Sequence, residues 1–455
     1  MPRGKSNNTE NCVRKSELDY HSRPPVQKSI AYEYFQDINC EPFSHGSPII
    51  FNVAGSNHEY IDMAKSYVTF SLHVVQHAND ASLADTNDRT GASLSIVNNF
   101  MHSCFSTVEL SLNGIYVTRA FSNYPQKAYL MNLLTYDDNL KSSSQLQCEG
   151  WSTDEPTKFV DTTGSGFKQR KAWISRKVQL AGVLKLDISS QHKYLPAGVN
   201  LHLKCVQNDL NYILLDGIGE KPAGASTDAA VIAYNEKIGN YKIKIIDPVY
   251  RVKKIVLSAD EQLRLIKEIR VKPFEIPIRR IDVTNQAIAP GLLNKTLEQT
   301  FPGKLPKILI IGFVRSDAYN GNILKSPFLY ETFSVERIQC YVNGKSVASK
   351  PYEPDYEGKN YVHSYLGLVD VIGGWRGTYW PSISYTDFAN GCCLYAFRLG
   401  PESLCDFVNP PQTGNVTIEI KFKAAHNFSI NAVLFAEFDS TVYINETGQV
   451  TTDYQ

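Results

Sequence analysis

The segment V-E-L-S-L-N-G-I-Y-V at 108–117 and the segment I-Q-C-Y-V-N-G-K-S-V at 338–347 spell the same hairpin, 230 residues apart. In each, apolar and polar residues alternate up to an Asn-Gly pair, which puts one row of side chains inward. Asn-Gly supplies the two positive-φ positions of a type I′ turn, so the signal for a tight hairpin is specific. The agreement continues in order. F-S-T-V-E-L-S-L-N-G leads to Tyr129-Leu130 and Leu133-Leu134, as F-S-V-E-R-I-Q-C-Y-V-N-G leads to Tyr365-Leu366 and Leu368-Val369. Further on, L-K-L-D…P-A-G-V-N-L-H-L-K (184–204) is answered by A-F-R-L-G…T-G-N-V-T-I-E-I-K (396–421). There Leu201 and Leu203 align with Ile418 and Ile420, an offset of 217. Ordered matches at such long offsets predict two copies of one fold, with a period far too long for a solenoid or propeller.

A chain of 455 residues has room for two sizeable cores, and 11% aromatic content, with 26 Tyr and 21 Phe, leans toward strands. Strand patterns fall at 48–53, at 66–75 (Val68, Phe70, Leu72 and Val74 on one face), at 178–187, 199–206 and 241–257, and in the second half at 274–283 and 307–314. The dense apolar run Y-L-M-N-L-L at 129–134 predicts a short helix. Each copy holds about eight strand-like segments with long connections, which fits a jelly roll better than an immunoglobulin sandwich. The expected fold is all-β: two tandem eight-stranded jelly rolls with short helices in their loops. Residues 1–28, polar and bearing Arg-Pro-Pro, read as a flexible arm, 29–258 as the first roll and 271–455 as the second with a short tail. Between them Ser258 and Glu261 form a capping-box pattern ahead of L-R-L-I-K-E-I, predicting a bridging helix over 259–270. Residues 76–92 and 217–229 read as long loops.

The chemistry-bearing residues exclude more than they propose. Lys+Arg and Asp+Glu both number 46, so there is no basic excess to grip nucleic acid. The nearest basic run, K-Q-R-K at 168–171, reads as a solvated loop. No apolar run reaches a membrane span, and I-L-I-I-G-F-V at 308–314 reads as a buried strand. The N-terminus lacks the apolar stretch of a secretory signal. Nine scattered cysteines, an odd number, point to free thiols in a reducing compartment, and the Asn-x-Ser/Thr sequons at Asn7, Asn294, Asn415, Asn427 and Asn445 to chance. His73 and His77 in a strand stand about 13 Å apart, too far to share a metal. G-K-S at 344–346 lacks the glycine a phosphate loop needs, having Gln339 there. Cys392-Cys393 read as core filler. Asp154 with Glu155, and Glu353 with Asp355, are acids in polar loops that could flank a sugar, which leaves a carbohydrate-binding or glycan-cleaving double sandwich as the alternative. No catalytic, cofactor-binding or metal-binding residue is assigned, and the chain is not expected to be an enzyme.

Q-L-A-G-V-L-K-L-D-I-S-S-Q-H-K-Y-L-P-A-G-V-N-L-H-L-K-C resembles the closing strands of the first roll in double-jelly-roll major capsid proteins, nearest those of Polinton (Maverick) elements and adintovirus-like DNA viruses. N-F-M-H-S-C-F-S-T-V-E-L-S-L-N-G, Y-L-M-N-L-L-T-Y and E-G-W (99–151) are similar to that family's first half. F-E-I-P-I-R-R-I-D-V, P-K-I-L-I-I-G-F-V-R-S-D-A-Y-N-G-N, Y-V-N-G-K-S-V and L-F-A-E-F-D-S-T-V-Y-I-N are similar to its second. The N-terminal arm and the 76–97 and 207–240 loops have no such match. The resemblance implies a structural subunit in which three chains form a pseudo-hexameric trimer and trimers tile an icosahedral shell. It implies self-association, a single-jelly-roll penton or other minor capsid protein as partner, no strong nucleic-acid binding and no membrane span. The implied location is the virion, after synthesis in the host cytoplasm and with the nucleus as an alternative place of assembly.

Overall fold

The computed structural model describes residues 30–76, 94–118, 123–217, 241–372, 383–400 and 412–453, apart from 45, 144, 299 and 302. The expected arm and most of the two long loops lie outside the described residues. In the first half the strands are β1 (Ile30–Asn39), β2 (Ile49–Val53), β3 (Glu59–Gln76), β4 (Leu94–Ile96) and β5 (Phe105–Leu112). They continue with β6 (Ile115–Thr118), β7 (Val178–Gly182), β8 (Leu201–Gln207), β9 (Leu214–Asp216) and β10 (Tyr241–Leu257). The second half has β11 (Phe274–Ile288), β12 (Asn294–Leu297), β13 (Ile308–Arg315), β14 (Val335–Val342) and β15 (Lys345–Ser346). It ends with β16 (Leu394–Arg398), β17 (Val416–Phe422), β18 (Ile430–Ile444) and β19 (Val450–Thr452). The helices that matter below are α1 (Tyr124–Thr135), α2 (Ser165–Ile174), α3 (Ala259–Val271) and α4 (Val362–Ile372).

The hydrogen-bonded order β1-β10-β3-β7 in the first half is reproduced by β11-β18-β13-β16 in the second. The order β2-β8-β5-β6 is reproduced by β12-β17-β14-β15. Two antiparallel sheets with this crossing order, packed face to face, are a jelly roll, and the chain contains it twice, with β19 added beside β18 in the second. The period-two rows predicted from the sequence make the cores: Val68, Phe70, Leu72 and Val74 are all buried, and Phe70 meets Phe105 of the opposing sheet edge-on at 5.8 Å.

Both hairpins form as read. Asn113 and Gly114 have φ of 49° and 84°, and Asn343 and Gly344 have φ of 50° and 77°. The asparagine also locks the turn to the next strand. Asn113 donates its N–H to the Asn200 carbonyl (2.9 Å) and accepts the Asn200 N–H on Oδ1 (2.8 Å). Asn343 does the same with Asn415, at 2.9 Å for both bonds. This clamp corrects the alignment made from the sequence. With Leu112 opposite Leu201 and Val342 opposite Val416, the counterparts of Leu201 and Leu203 are Val416 and Ile418, not Ile418 and Ile420. A pattern of period two is unchanged by a slip of two residues; only the turn contacts fix the register.

Other expectations are corrected. β1 has no counterpart among the predicted strands, because as a sheet edge its side chains alternate between half-buried and exposed rather than buried and exposed. The strand expected over 178–187 stops at Gly182, and Asp187–Ser190 is a 3₁₀ turn. The bridging helix is present as α3, but Ser258 makes no side-chain cap. Glu261 turns instead to Arg264.

Gly114 and Gly344 have nothing within 4 Å of an added Cβ, so only their left-handed backbone resists substitution. Gly114→Ala and Gly344→Ala should each lower stability by roughly 1–2 kcal/mol, read as equal shifts of the urea midpoint.

Candidate functional site

The residues singled out for chemistry are dispersed and engaged elsewhere. His73 lies in β3, and position 77 is outside the described residues. Among the described residues no three His, Cys, Asp or Glu side chains are grouped to hold a metal, and the described cysteines are free. Burial pushes the Cys392 thiol up to about 12 and the Cys393 thiol up to about 11, which leaves little thiolate for nucleophilic work.

The K-Q-R-K run is not a solvated loop. It lies on α2, and Arg170 is fully enclosed, donating to the Ile96 carbonyl (2.8 Å) and to Ser152 Oγ (2.6 Å). Its partner is Asp154, 2.7 Å away and also buried, so Asp154 is not an open-loop acid either. Glu155 is held by Lys158 at 2.9 Å. Asp355 Oδ1 accepts the Gly358 N–H at 3.1 Å, and the Glu353 side chain stays 63% exposed.

The densest polar chemistry sits on a residue that sequence reasoning quoted but did not explain, the glutamate of E-G-W. Glu149 Oε2 lies 3.1 Å from His102 Nε2, 3.1 Å from Lys185 Nζ and 3.3 Å from Asn132 Nδ2. His102 Nδ1 is 2.9 Å from the Tyr124 hydroxyl, which accepts the Lys185 N–H at 3.2 Å. Each other letter of the motif has its own reason. Gly150, at φ 80°, lets the chain pass Phe100, where a Cβ would come within 2.8 Å. Trp151 stacks on Tyr129 at 5.2 Å. Gly182 makes the space for Glu149, whose Cγ would lie 2.4 Å from a Cβ there. Burial pushes the His102 imidazole below its ordinary value, so it is neutral and bonds the carboxylate through Nε2–H. Burial works to raise Glu149, but the bonds from His102 and Lys185 outweigh it and hold the carboxyl below the usual range. A carboxylate, imidazole and hydroxyl in series resemble a catalytic relay. Here the His102 and Glu149 side chains are 0% and 1% exposed, so no substrate reaches them. The cluster is a lock that joins α1, the 145–148 turn and the segment after β7.

The larger feature is the seam between the rolls, built on α1. Tyr129 lies flat on Phe328 at 4.2 Å with 6° between the rings. Gln126 donates to the Pro327 carbonyl (2.8 Å) and accepts from the Tyr330 hydroxyl (2.6 Å). Asn123 donates to the Val283 carbonyl (2.8 Å), and Asp187 Oδ1 takes both Lys127 Nζ (2.6 Å) and the Ile281 N–H (3.1 Å). The two cores interpenetrate here. Tyr129, Leu133, Trp151 and Phe167 belong to the apolar cluster of the second roll, and Ile276, Ile278, Val442 and Ile444 to that of the first. A cavity of about 460 Å³ opens at the seam. Its cations are paired, Lys127 with Asp187, Arg280 with Asp282 at 3.0 Å and Lys304 with Asp453 at 3.2 Å, so it offers no excess charge to an anion.

The neutral, buried His102 fixes the sign of a pH effect. The unfolded chain takes up the His102 proton more readily than the folded one. Stability is therefore whole above the ordinary histidine value and falls below it, by up to about 1.4 kcal/mol per pH unit. The groups facing the ring are Glu149, Tyr124 and Lys185. Chemical denaturation between pH 7 and 5 should show this slope, and His102→Gln should flatten it. Glu149→Gln, which leaves Lys185 without its buried counter-charge, should lower stability by roughly 3–5 kcal/mol.

No protein-family model matches the chain. It is 25% identical over 430 residues to an uncharacterized protein of Caenorhabditis elegans, F54H12.2, covering 91% of this chain and 96% of that one. Among solved structures it is similar to a chain of the Sputnik virophage, at 12% identity and a TM-score of 0.59, covering 96% of this chain and 91% of that one. The Faustovirus major capsid protein matches at 10% identity and a TM-score of 0.54, covering 95% and 96%. The mavirus major capsid protein matches at 12% and 0.51, covering 100% and 95%. At these identities the likeness is one of fold, and the fold that the paired sheets build in this chain is the double jelly roll of viral major capsid proteins.

Proposed function

We propose that the chain is a major capsid protein of the Polinton (Maverick) and adintovirus-like kind, a structural subunit and not an enzyme. The observation that carries this reading is the end-to-end match of both halves to capsid chains, with 100% of this chain covered in the mavirus comparison. Two rolls of equal topology, fused by a seam of shared core and buried polar bonds, give one rigid block with two similar flanks. Three such blocks present six similar rolls, which suits a trimer of pseudo-sixfold outline in an icosahedral lattice. In this reading 29–258 and 271–455 are the two rolls, 259–270 bridges them and 1–28 is an arm.

Equal numbers of acidic and basic residues let neighbouring trimers pack without strong mutual repulsion and leave genome binding to other proteins. Among the described residues no helix is long and apolar enough to cross a membrane. A single-jelly-roll penton protein would close the shell at its vertices, and the product would reside in the virion. The relative of matching length in a nematode supports an origin in an element carried by animal genomes.

The expressed full-length chain should run by light scattering at three times its 51.0 kDa mass or larger. Negative-stain images should show hexagonal capsomers or particles. A stable monomer that binds or cleaves glycans would sink the reading.

A further inference from the structure

In the apolar run Y-L-M-N-L-L of α1 the one polar letter is Asn132, and the structure encloses it completely. Its Nδ2 donates to Asn99 Oδ1 at 3.0 Å and to Glu149 Oε2 at 3.3 Å. Its Oδ1 is buried and has no hydrogen-bond partner among the described residues. Asparagine is a poor helix former, and an unpaired buried carbonyl costs stability, so packing alone gives no reason for this residue.

The same carboxylate oxygen, Glu149 Oε2, lies 3.1 Å from Lys185 Nζ. One buried carboxylate thus holds a primary amine and a side-chain amide beside each other. Lys185 is itself buried, with Nζ 5.4 Å from the centre of the Tyr136 ring. No outside substrate reaches this pocket, and none is needed when both reactants are side chains of one chain. Holding reactants in place removes much of the entropic barrier to their union, and excluding water leaves the amine as the attacking group.

We propose that Lys185 and Asn132 join in an amide bond, with Glu149 as the catalytic carboxylate. Glu149 takes a proton from the Lys185 ammonium, and the freed Nζ attacks Asn132 Cγ. Glu149 then hands its proton to Nδ2 and takes a second one from Nζ. The Cγ–Nδ2 bond breaks, Nδ2 leaves as ammonia, and the Nζ–Cγ bond remains as the new amide. Glu149 ends as the neutral acid, no further reactant enters, and each chain reacts once. The link ties α1 to the segment after β7 and closes residues 132–185, with E-G-W and α2 inside, into a loop. Such a closure restricts the unfolded chain, so the helix that carries the seam stays joined to its own roll even when the fold opens.

The test uses the full chain, folded and then denatured for mass spectrometry. The intact wild-type mass should fall below the sequence mass by one ammonia. A succinimide at either Asn-Gly turn loses the same mass, so a tryptic digest decides between them. Trypsin does not cut after an acylated lysine, so the digest should contain residues 128–141 branched to residues 178–193, and the free peptide 178–185 should be missing. Lys185→Arg and Glu149→Gln should each abolish the branched peptide and release 128–141 free; the second keeps both reactants and removes only the carboxylate. Should a variant fail to fold, the wild-type digest still decides. The inference is overturned if the folded wild type has its full sequence mass and yields 178–185 in full, or if Glu149→Gln carries the link as completely as the wild type. The capsid reading does not depend on either result.

Discussion

Helix α1 is the piece through which the two rolls become one body. It leaves the first roll after β6 and inserts Tyr129 between Trp151 of its own half and Phe328 of the other. Stacked aromatic pairs add roughly 0.5–1.5 kcal/mol beyond the area they bury, and this stack belongs to the apolar core of the second roll. The polar residues of the same helix do the aligning: Gln126 reads the 327–330 segment, and Asn123 reads the edge of β11. Apolar contact supplies the attraction and directional bonds set the angle, so the two sandwiches cannot slide on each other without breaking both kinds of interaction.

That arrangement explains why buried charge collects around α1. A helix wedged between two β-sandwiches must bury its polar side chains, and a buried ion is tolerated only with partners in place. Glu149 has three such partners and Asp187 has Lys127 together with a backbone N–H. Arg170 is satisfied by two oxygens and Asp154. The Glu149 and Arg170 side chains are each 1% exposed and meet no substrate, while Lys127 and Asp187, which line the seam cavity, are paired with each other. Their common effect is to hold loops of the first roll in one conformation.

Much of this was readable in the chain. The Asn-Gly turns, the inward row of β3, the strand of β10 and the ordered echo between halves all follow from local rules: two positive-φ residues at a turn and side chains alternating along a strand. What escaped did so for physical reasons. β1 carries Tyr32, Phe35 and Ile38 among acids and polar residues, so its pattern is that of a half-wet edge. Arg170 sits in a run of basic residues whose periodicity gives no sign that one of them points inward. Glu149 looks like any loop acid until His102, Asn132 and Lys185 are brought to it from three other segments.

The amino-acid order by itself determined that there are two copies of one all-β unit and which residues fill their sandwiches, because turn chemistry and period-two burial are properties of neighbours in sequence. It also determined that the chain is electrically balanced. Only the tertiary structure decided the register between copies, the pairing of buried charges and the unlike sides of the seam. Those depend on residues tens to hundreds of positions apart, such as Asn113 with Asn200, Lys127 with Asp187, and Gln126 with Tyr330. A pattern of period two is blind to a shift of two, and no local signal says which charge will meet which.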